Sequence, residues 1–594
     1  NDPSNMDAAR FLTDGHIHFD DSLNIERSND GTQKEGETNI FSDYHLRTAM
    51  VNIKNTNATN KNKTTFESHL GDVWLGYSVG NDGCAPLPSP DPTYDDNLFS
   101  YKDAANSNTQ WLKIRAGYQD QANTGRYGGG NIYVAQMKNE LTKNGTTNTE
   151  ITIPFSNEYY CESTWSPDLL HKRKDASMMM YEHAGIIFGL GHCGKDKDIS
   201  QYAPGVTPPP PAEISKLSLE HIGNKGDLRV DAGKRGNIII NRGAKLNFQD
   251  LTNMTGNAIF RTRFGDIDMR EKFDADTMRG SLLFLAQVDN LDELSRVGLC
   301  GCAEERNNVY LQDFQYRSHN AGGSVFVGAD NNIKLNYGGL QNIGTRHDPF
   351  LSKDYEKCRD GGLKKVGEGY IGGALGGCGD DLHCDAISSE NKARKFLMKF
   401  DKDANGTAIT KGGFAAVASD YIDVYKRFEY LGGSGDGMGS VPGTGTLHGE
   451  TVTGYGLFMK TQANKGNWNV NIFENTPTCP TPCDGTNCGH DYLHMVSRMT
   501  FHDDAYIEAH NQEVMLWSPV IETFGDMTLD SEKDKGSKTE ITLKADSLIF
   551  HSDFIKKGNN IKLSTWSGLH NDLPIMKFGH MRKTPPFVEA KKDD

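Results

Sequence analysis

One five-residue pattern limits this chain more than any other feature: a glycine, an Asp or Asn, then a short strand of alternating apolar residues. It occurs seven times, as GDVWL (Gly71–Leu75), GNIYV (Gly130–Val134), GDLRV (Gly226–Val230), GNIII (Gly236–Ile240), GDIDM (Gly265–Met269), GNWNV (Gly466–Val470) and GDMTL (Gly525–Leu529). Glycine permits a sharp turn, and a short polar side chain can cap backbone amides at the bend. A chain that keeps repeating this unit keeps turning corners between short strands.

Longer echoes extend the unit to strand, corner, strand. GGSVFVGADNNIKLNY (Gly322–Tyr337) parallels GGFAAVASDYIDVY (Gly412–Tyr425), and GNIIINRGAKLNF (Gly236–Phe248) and TEITLKADSLIFHS (Thr539–Ser552) share the plan. This is the form of a coil in a β-solenoid, where each strand pairs with its equivalents in the coils above and below. The expected fold class is therefore all-β: an elongated parallel β-helix with loop insertions. Ile238, Ile240, Leu246, Val325, Val327, Ile541 and Leu543 are the expected inward residues. An array of antiparallel β-sandwiches shares this strand-and-turn composition and is the alternative.

The segment TDGHIHFDD (Thr13–Asp21) spells an Asp-x-His-x-His run, which metal-dependent hydrolases use for ligands. Such an enzyme also needs alternating strands and helices with further ligands downstream, and that alternation is missing. The segment instead matches MTFHDDAYIEAH (Met499–His510): a strand, an acidic corner and a second strand. Ile17 then faces a core while His16 and His18 face outward, and the run is scaffold.

Charge and composition narrow the partners. The formal net charge is −16 over 594 residues, which argues against nucleic acid and anionic membranes. No apolar run is long enough to span a bilayer as a helix. The chain opens at NDPSNMDAARF without an initiator Met, as a processed product or a piece of a longer protein would. Cysteine numbers 11, an odd count, with Cys300/Cys302, Cys378/Cys384 and Cys479/Cys483/Cys488 closely spaced. These seven are the disulfide candidates, and their density points to an oxidising, extracytoplasmic setting.

The organisation expected is a β-rich region with polar loops over 1–205, a proline-rich spacer over 206–215, a solenoid over 216–566 and a tail over 567–594. Insertions are expected at Asp274–Gly298, Asp348–Asn391, Gly432–Glu450 and Pro477–His494, the third as a flexible glycine-rich loop. One helix is expected over Ser388–Phe400, capped by Ser389. DKDANGTAITKG places Asp401, Asp403, Asn405 and Thr407 where a calcium loop sets its early ligands, with Gly406 at the turn. Gly412 replaces the bidentate Glu such a loop requires, so an ion there would brace the loop, and no other cofactor is expected. GLGHCG (Gly189–Gly194) imitates a dinucleotide fingerprint, but no helix pattern follows it. Paired acids such as Asp266/Asp268 and Asp503/Asp504 read as solvated outward residues.

In their GNIxIxxGAxLxF-type and GDIxM-type coils these segments resemble large secreted adhesins and haemagglutinin-like bacterial surface proteins. The Cys-bearing, loop-decorated form is similar to the giant repetitive surface proteins of the Bacteroidota. The resemblance implies a non-enzymatic extracellular or cell-surface protein that mediates attachment or builds a surface filament. Its partners would be a glycan, a cell-surface ligand or neighbouring subunits. A carbohydrate-active β-helix lyase or hydrolase is the alternative, since its acids and bases come from neighbouring coils without a contiguous motif. The irregular coils and long insertions depart from evenly repeating adhesin stalks.

Overall fold

The computed structural model describes residues 8–76, 99–117, 130–153, 185–188, 217–287, 307–336, 395–400, 409–461, 497–531, 539–565 and 575–582. Short breaks fall at 14, 20–21, 28–35, 49, 56–61, 70, 104–109, 143–144, 234–235, 241–242, 249–255, 264, 270–271, 319–322 and 434. The chain divides into two compact units, Asn1–Phe273 with Gly338–Ala393, and Asp274–Tyr337 with Arg394–Asp594.

Both units are built on one rule. Within each unit, up to Val520–Thr523, a strand pairs in parallel with the strand three places later, so these coils have a first, a second and a third strand. In the last coils Ser547–Lys557 serves as second and third together, pairing with Val520–Thr523 and Met527–Asp530. In unit one the first strands stack in the order Ala8–Thr13, Gly36–Ser42, Asn62–Ser68, Gln110–Ala116, Thr147–Thr152, Leu228–Asp231 and Ala258–Thr262. In unit two the order is Leu282–Ala286, Val325–Ala329, Phe414–Ala418, Tyr455–Lys460, Glu513–Trp517, Glu540–Ala545 and Ile561–Thr565. Paired strands among the described residues run parallel, which establishes the β-solenoid and excludes the antiparallel sandwich for them.

The repeated segments occupy equivalent places. GDVWL, GNIYV, GNIII and GDIDM each enter a second strand, GDLRV a first strand and GDMTL a third, while GNWNV lies outside the described residues. Thr13–Asp21 and Met499–His510 both carry a second strand into a third, as their likeness implied. Val325–Ala329 and Phe414–Ala418, from the longest echo, are direct neighbours in register. The same coil is present on both sides of the proline-rich segment 206–215.

Close stacking explains the glycines. A Cβ on Gly130 would sit 1.8 Å from the carbonyl oxygen of Gly71, and one on Gly265 would sit 2.1 Å from that of Gly236. These coil starts approach so tightly that only a hydrogen fits. Inside the coils the seven expected aliphatics, Ile238, Ile240, Leu246, Val325, Val327, Ile541 and Leu543, are fully buried. In unit two, Phe314, Phe396 and Phe428 stack across three successive coils with centroids 5.1 and 5.6 Å apart.

Unit one hides a polar row among these apolar ones. Asn139 Nδ2 donates to Thr149 Oγ1 at 2.9 Å and lies 3.0 Å from His221 Nδ1, in register on the next coil. His221 Nδ1 is therefore the acceptor, and the Nε2–H has no hydrogen-bond partner among the described residues. Burial pushes the His221 pKa down to about 3.

Three expectations need correcting. Lys395–Lys399, inside the expected helix, is a strand pairing with Phe314–Ser318 and Arg427–Leu431. Alternation explains it: Phe396 and Met398 point into the core, a period of two that the helix reading overlooked. Asp274–Gly298 is not wholly an insertion, because Phe273–Met278 and Leu282–Ala286 are coil strands. Gly432–Glu450 is not a free loop; Met438, Val441 and Leu447 within it are buried.

Two outcomes follow. Gly130→Ala should destabilise the chain by about 3 kcal/mol, through overpacking against a backbone that cannot yield. Gly439→Ala, whose Cβ would meet nothing within 4 Å, should change stability by less than about 0.5 kcal/mol. Urea midpoints of both variants decide this. For His221, the unfolded chain takes up a proton below its ordinary pKa of 6.5 while the folded chain resists until about 3. Stability should thus fall by about 1.4 kcal/mol per pH unit as pH drops through that window. The difference between wild type and His221→Leu, measured from pH 7.5 to 4.5 (about the upper part of the window), isolates this slope; parallel profiles would refute it.

Candidate functional site

The chemistry-bearing residues of the coils fall into three arrangements: a corner ladder, outward cross-coil pairs and two buried polar clusters.

The ladder precedes the second strands of unit one. His45 N–H donates to His16 Nδ1 at 3.2 Å, and Asp72 N–H to His45 Nδ1 at 3.0 Å. Asn131 N–H donates to Asp72 Oδ1 at 2.7 Å, Gly185 N–H to Asn131 Oδ1 at 3.0 Å, and Asp266 N–H to Asn237 Oδ1 at 2.8 Å. Each side chain holds the backbone of the following coil. His16 and His45 thus stand where other coils carry Asp or Asn, and their rings stack at 5.2 Å.

This arrangement gives the first His of the Asp-x-His-x-His run a backbone-holding role. An imidazole that accepts at Nδ1 carries its proton on Nε2. A metal at Nε2 would move that proton to Nδ1, directly against the His45 or Asp72 N–H. Among the described residues no group of three or more His, Cys, Asp or Glu could hold a metal ion. Desolvation, then the charges of His45 and His18, lower the pKa of His16, in keeping with its acceptor role.

Of the paired acids, Asp504 serves the same purpose. Asp504 Oδ1 accepts from Asp526 N–H at 2.9 Å, and Asp526 Oδ1 from Asp553 N–H at 3.1 Å, on three successive coils. Asp266 is a member of the second-strand ladder. The expected calcium ligands Asp401, Asp403, Asn405 and Thr407 lie outside the described residues, as do Cys300, Cys302, Cys378, Cys384, Cys479, Cys483, Cys488 and Gly189–Gly194.

Outward side chains pair from coil to coil. On the first-strand face of unit one, Lys63 and Lys113 each lie 4.5 Å from the Trp111 ring and reach Glu37 and Glu150. In unit two Lys460 and Lys544 flank Trp517 at 3.8 and 4.5 Å. Tyr425, His502, Phe524 and His551 stack ring on ring over four coils at 4.5, 5.8 and 4.7 Å. Because neighbours cover the faces of the inner rings, this column offers ring edges outward, and a sugar ring stacks on faces.

Two clusters lie in unit two. Tyr506 Oη donates to Glu508 Oε2 at 2.7 Å and lies 3.1 Å from Asp530 Oδ2. One hydroxyl proton cannot serve both carboxylates; Asp530 is balanced by Lys557 Nζ at 3.7 Å, and Glu508 Oε1 also meets His510 Nε2. Glu508 and Asp530 are buried, and burial, then the Glu508 contacts, hold Tyr506 protonated well above its ordinary range. Tyr506, Glu508 and His510 alternate in sequence, a signal of a shared face; Asp530 and Lys557 arrive from later coils and give none. The second cluster brings Ser419 Oγ within 3.3 Å and Asp330 Oδ1 within 2.9 Å of His448 Nε2. A nucleophile relay uses both ring nitrogens, one for Ser and one for Asp. Here both partners meet the same nitrogen, so the trio is an anchor.

No protein-family model, curated protein or solved structure matches the chain.

Internal segments longer than ten residues that lie outside the description follow one rule of connectivity. Residues 118–129, 154–184, 288–306 and 462–496 join a first strand to a second, and 77–98, 189–216 and 337–394 join a second to a third. All 11 cysteines fall in these segments, outside the described residues.

The ladder makes a specific prediction. His45→Asn keeps an acceptor in place, as Asn131 does two coils on, and should leave stability within about 0.5 kcal/mol. His45→Leu strands the Asp72 N–H and should cost about 1–2 kcal/mol. Amide exchange at Asp72 reports the difference directly, and equal protection in both variants would contradict the ladder.

Proposed function

We propose that this chain is an extracellular, non-enzymatic surface protein in which a β-solenoid holds cysteine-bearing insertions for attachment to a glycan or cell surface. One observation carries the reading: the long insertions, with every cysteine, leave the coils at the two ends of the second strand. The coils supply a stiff scaffold, closed by laddered corners and cross-coil pairs, and the variable chemistry is delegated to what they carry. Cysteines confined to insertions suit disulfide pinning in an oxidising compartment, where a loop without a core gains most from a cross-link.

A second reading, a carbohydrate-active β-helix enzyme, is favoured by the cluster of Tyr506, Glu508, His510, Asp530 and Lys557. It gathers a phenol, two carboxylates, an imidazole and an ammonium from successive coils, as such enzymes assemble acids and bases.

One experiment compares the readings. Replacing 154–184 by a short linker should leave the β-sheet circular-dichroism spectrum intact and abolish adhesion to cells or immobilised glycans. Tyr506→Phe should leave adhesion unchanged. Adhesion that survives loss of each long insertion in turn would sink the first reading. Release of oligosaccharides from an acidic polysaccharide, lost in Tyr506→Phe, would establish the second.

A further inference from the structure

The first-strand face of unit two carries an apolar patch that points away from the coil interior. Leu283 and Leu285, Phe326, Val417 and Phe458 come from four successive strands, alternate with the inward residues, and are nevertheless buried. The segment Gly432–Gly454 reaches this face at Gly413, through Met438, and at Gly328, through Leu447, and its Met438, Val441, Leu447 and Val452 are buried. Leu447 reaches the Gly328 position, where an added Cβ would meet its Cδ1 at 3.0 Å.

This strap is sewn down unevenly. Its root is tied by backbone, with Asp436 N–H donating to Thr410 O and Gly412 N–H to Gly437 O, both at 2.9 Å. Its tip is not. Among the described residues, backbone bonds of Val441–Val452 run to one another or from Tyr455, including the reciprocal pair between Leu447 and Glu450. Beyond apolar packing, side chains fasten the tip: His448 Nε2 lies 2.9 Å from Asp330 Oδ1 and 3.3 Å from Ser419 Oγ, and Lys460 Nζ lies 2.7 Å from Glu450 Oε1.

We propose that Gly439–Val452 is a detachable strap, latched by the His448–Asp330 pair, whose release bares the apolar patch on the first-strand face. The latch needs charge, because both side chains are almost fully buried and a neutral imidazole would leave the carboxylate unbalanced. The groups that act on His448 are Asp330 after strand Val325–Ala329, Ser419 after strand Phe414–Ala418 and Glu450 of the strap, the last paired with Lys460 at the end of strand Tyr455–Lys460. Asn307 holds the other oxygen of Asp330. Burial alone would lower the His448 pKa, but the bond to Asp330, its charge and that of Glu450 raise it above the ordinary value. The sign is then fixed. A raised folded pKa gives a latch that is complete below pH 6.5 and lost as pH rises through the folded value.

Hydrogen–deuterium exchange of the full chain tests this, with rates corrected for intrinsic pH dependence. In the wild type, exchange over Gly439–Val452 should accelerate about tenfold for each pH unit above the folded pKa, while strands Val325–Ala329 and Phe414–Ala418 stay protected. Asp330→Asn should expose the tip at least about tenfold at neutral pH and flatten its pH dependence. His448→Gln, which keeps a donor without charge, should do the same and serves where Asp330→Asn does not fold. A tip that exchanges at the wild-type rate in His448→Gln overturns the proposal, as does a tip that opens only together with the strands beneath it.

Discussion

Everything in these coils depends on a short hydrogen bond at a bend, from the backbone N–H of one coil to a side chain of the coil before it. The bend must be tight enough for that reach, which excludes a Cβ at Gly130 and Gly265 and explains why glycine precedes Asp or Asn. Strand pairing alone would not fix the stack, because a parallel ladder can slip and keep its hydrogen bonds. The corner acceptor cannot slip. It ties one residue to one residue, and a shift would strand an amide and turn the inward aliphatics outward.

That constraint leaves most else free. With corners pinned, coils tolerate insertions between strands, since lengthening a closed loop adds entropy only logarithmically. Asn131 meets Asp72 although 59 positions separate them, and Asn139 meets His221 across 82. Outward side chains then need only suit their neighbours, as the Lys–Trp–Lys sandwiches and the Tyr–His–Phe–His column do. Exposed pairs of this kind contribute about 0.2–1 kcal/mol each, so they trim the surface while the corners and the buried rows hold the fold.

The parts legible in the sequence are those whose cause is local. Gly with Asp or Asn announces a corner, alternation announces an inward face, and the likeness of Thr13–Asp21 to Met499–His510 reveals a shared place in the coil. Where a helix was expected, Lys395–Lys399 is a strand, because a cap residue such as Ser389 carries no information on the alternation of Phe396 and Met398 into the core. The strap failed for a different reason. Glycines at Gly437, Gly443, Gly445, Gly449 and Gly454 adopt positive φ, so they build a specific path, where composition suggested only looseness. The cluster at Tyr506 and the pairing of His448 with Asp330 need residues from separate coils, and their separation is set by insertion lengths that carry no periodicity.

Histidine shows how one side chain is tuned by its rung. His16 accepts a backbone amide and is held toward the neutral form, and His221 accepts from Asn139 in a dry interior and must stay neutral too. His448 faces a buried carboxylate and must be charged. Protons therefore oppose His16 and His221 and favour His448. Acid works against the coils of unit one, base works against the strap of unit two, and both are satisfied together near neutrality. This division arises without any change of fold, because the acceptor or donor character of the partner already decides which ring form the corner admits.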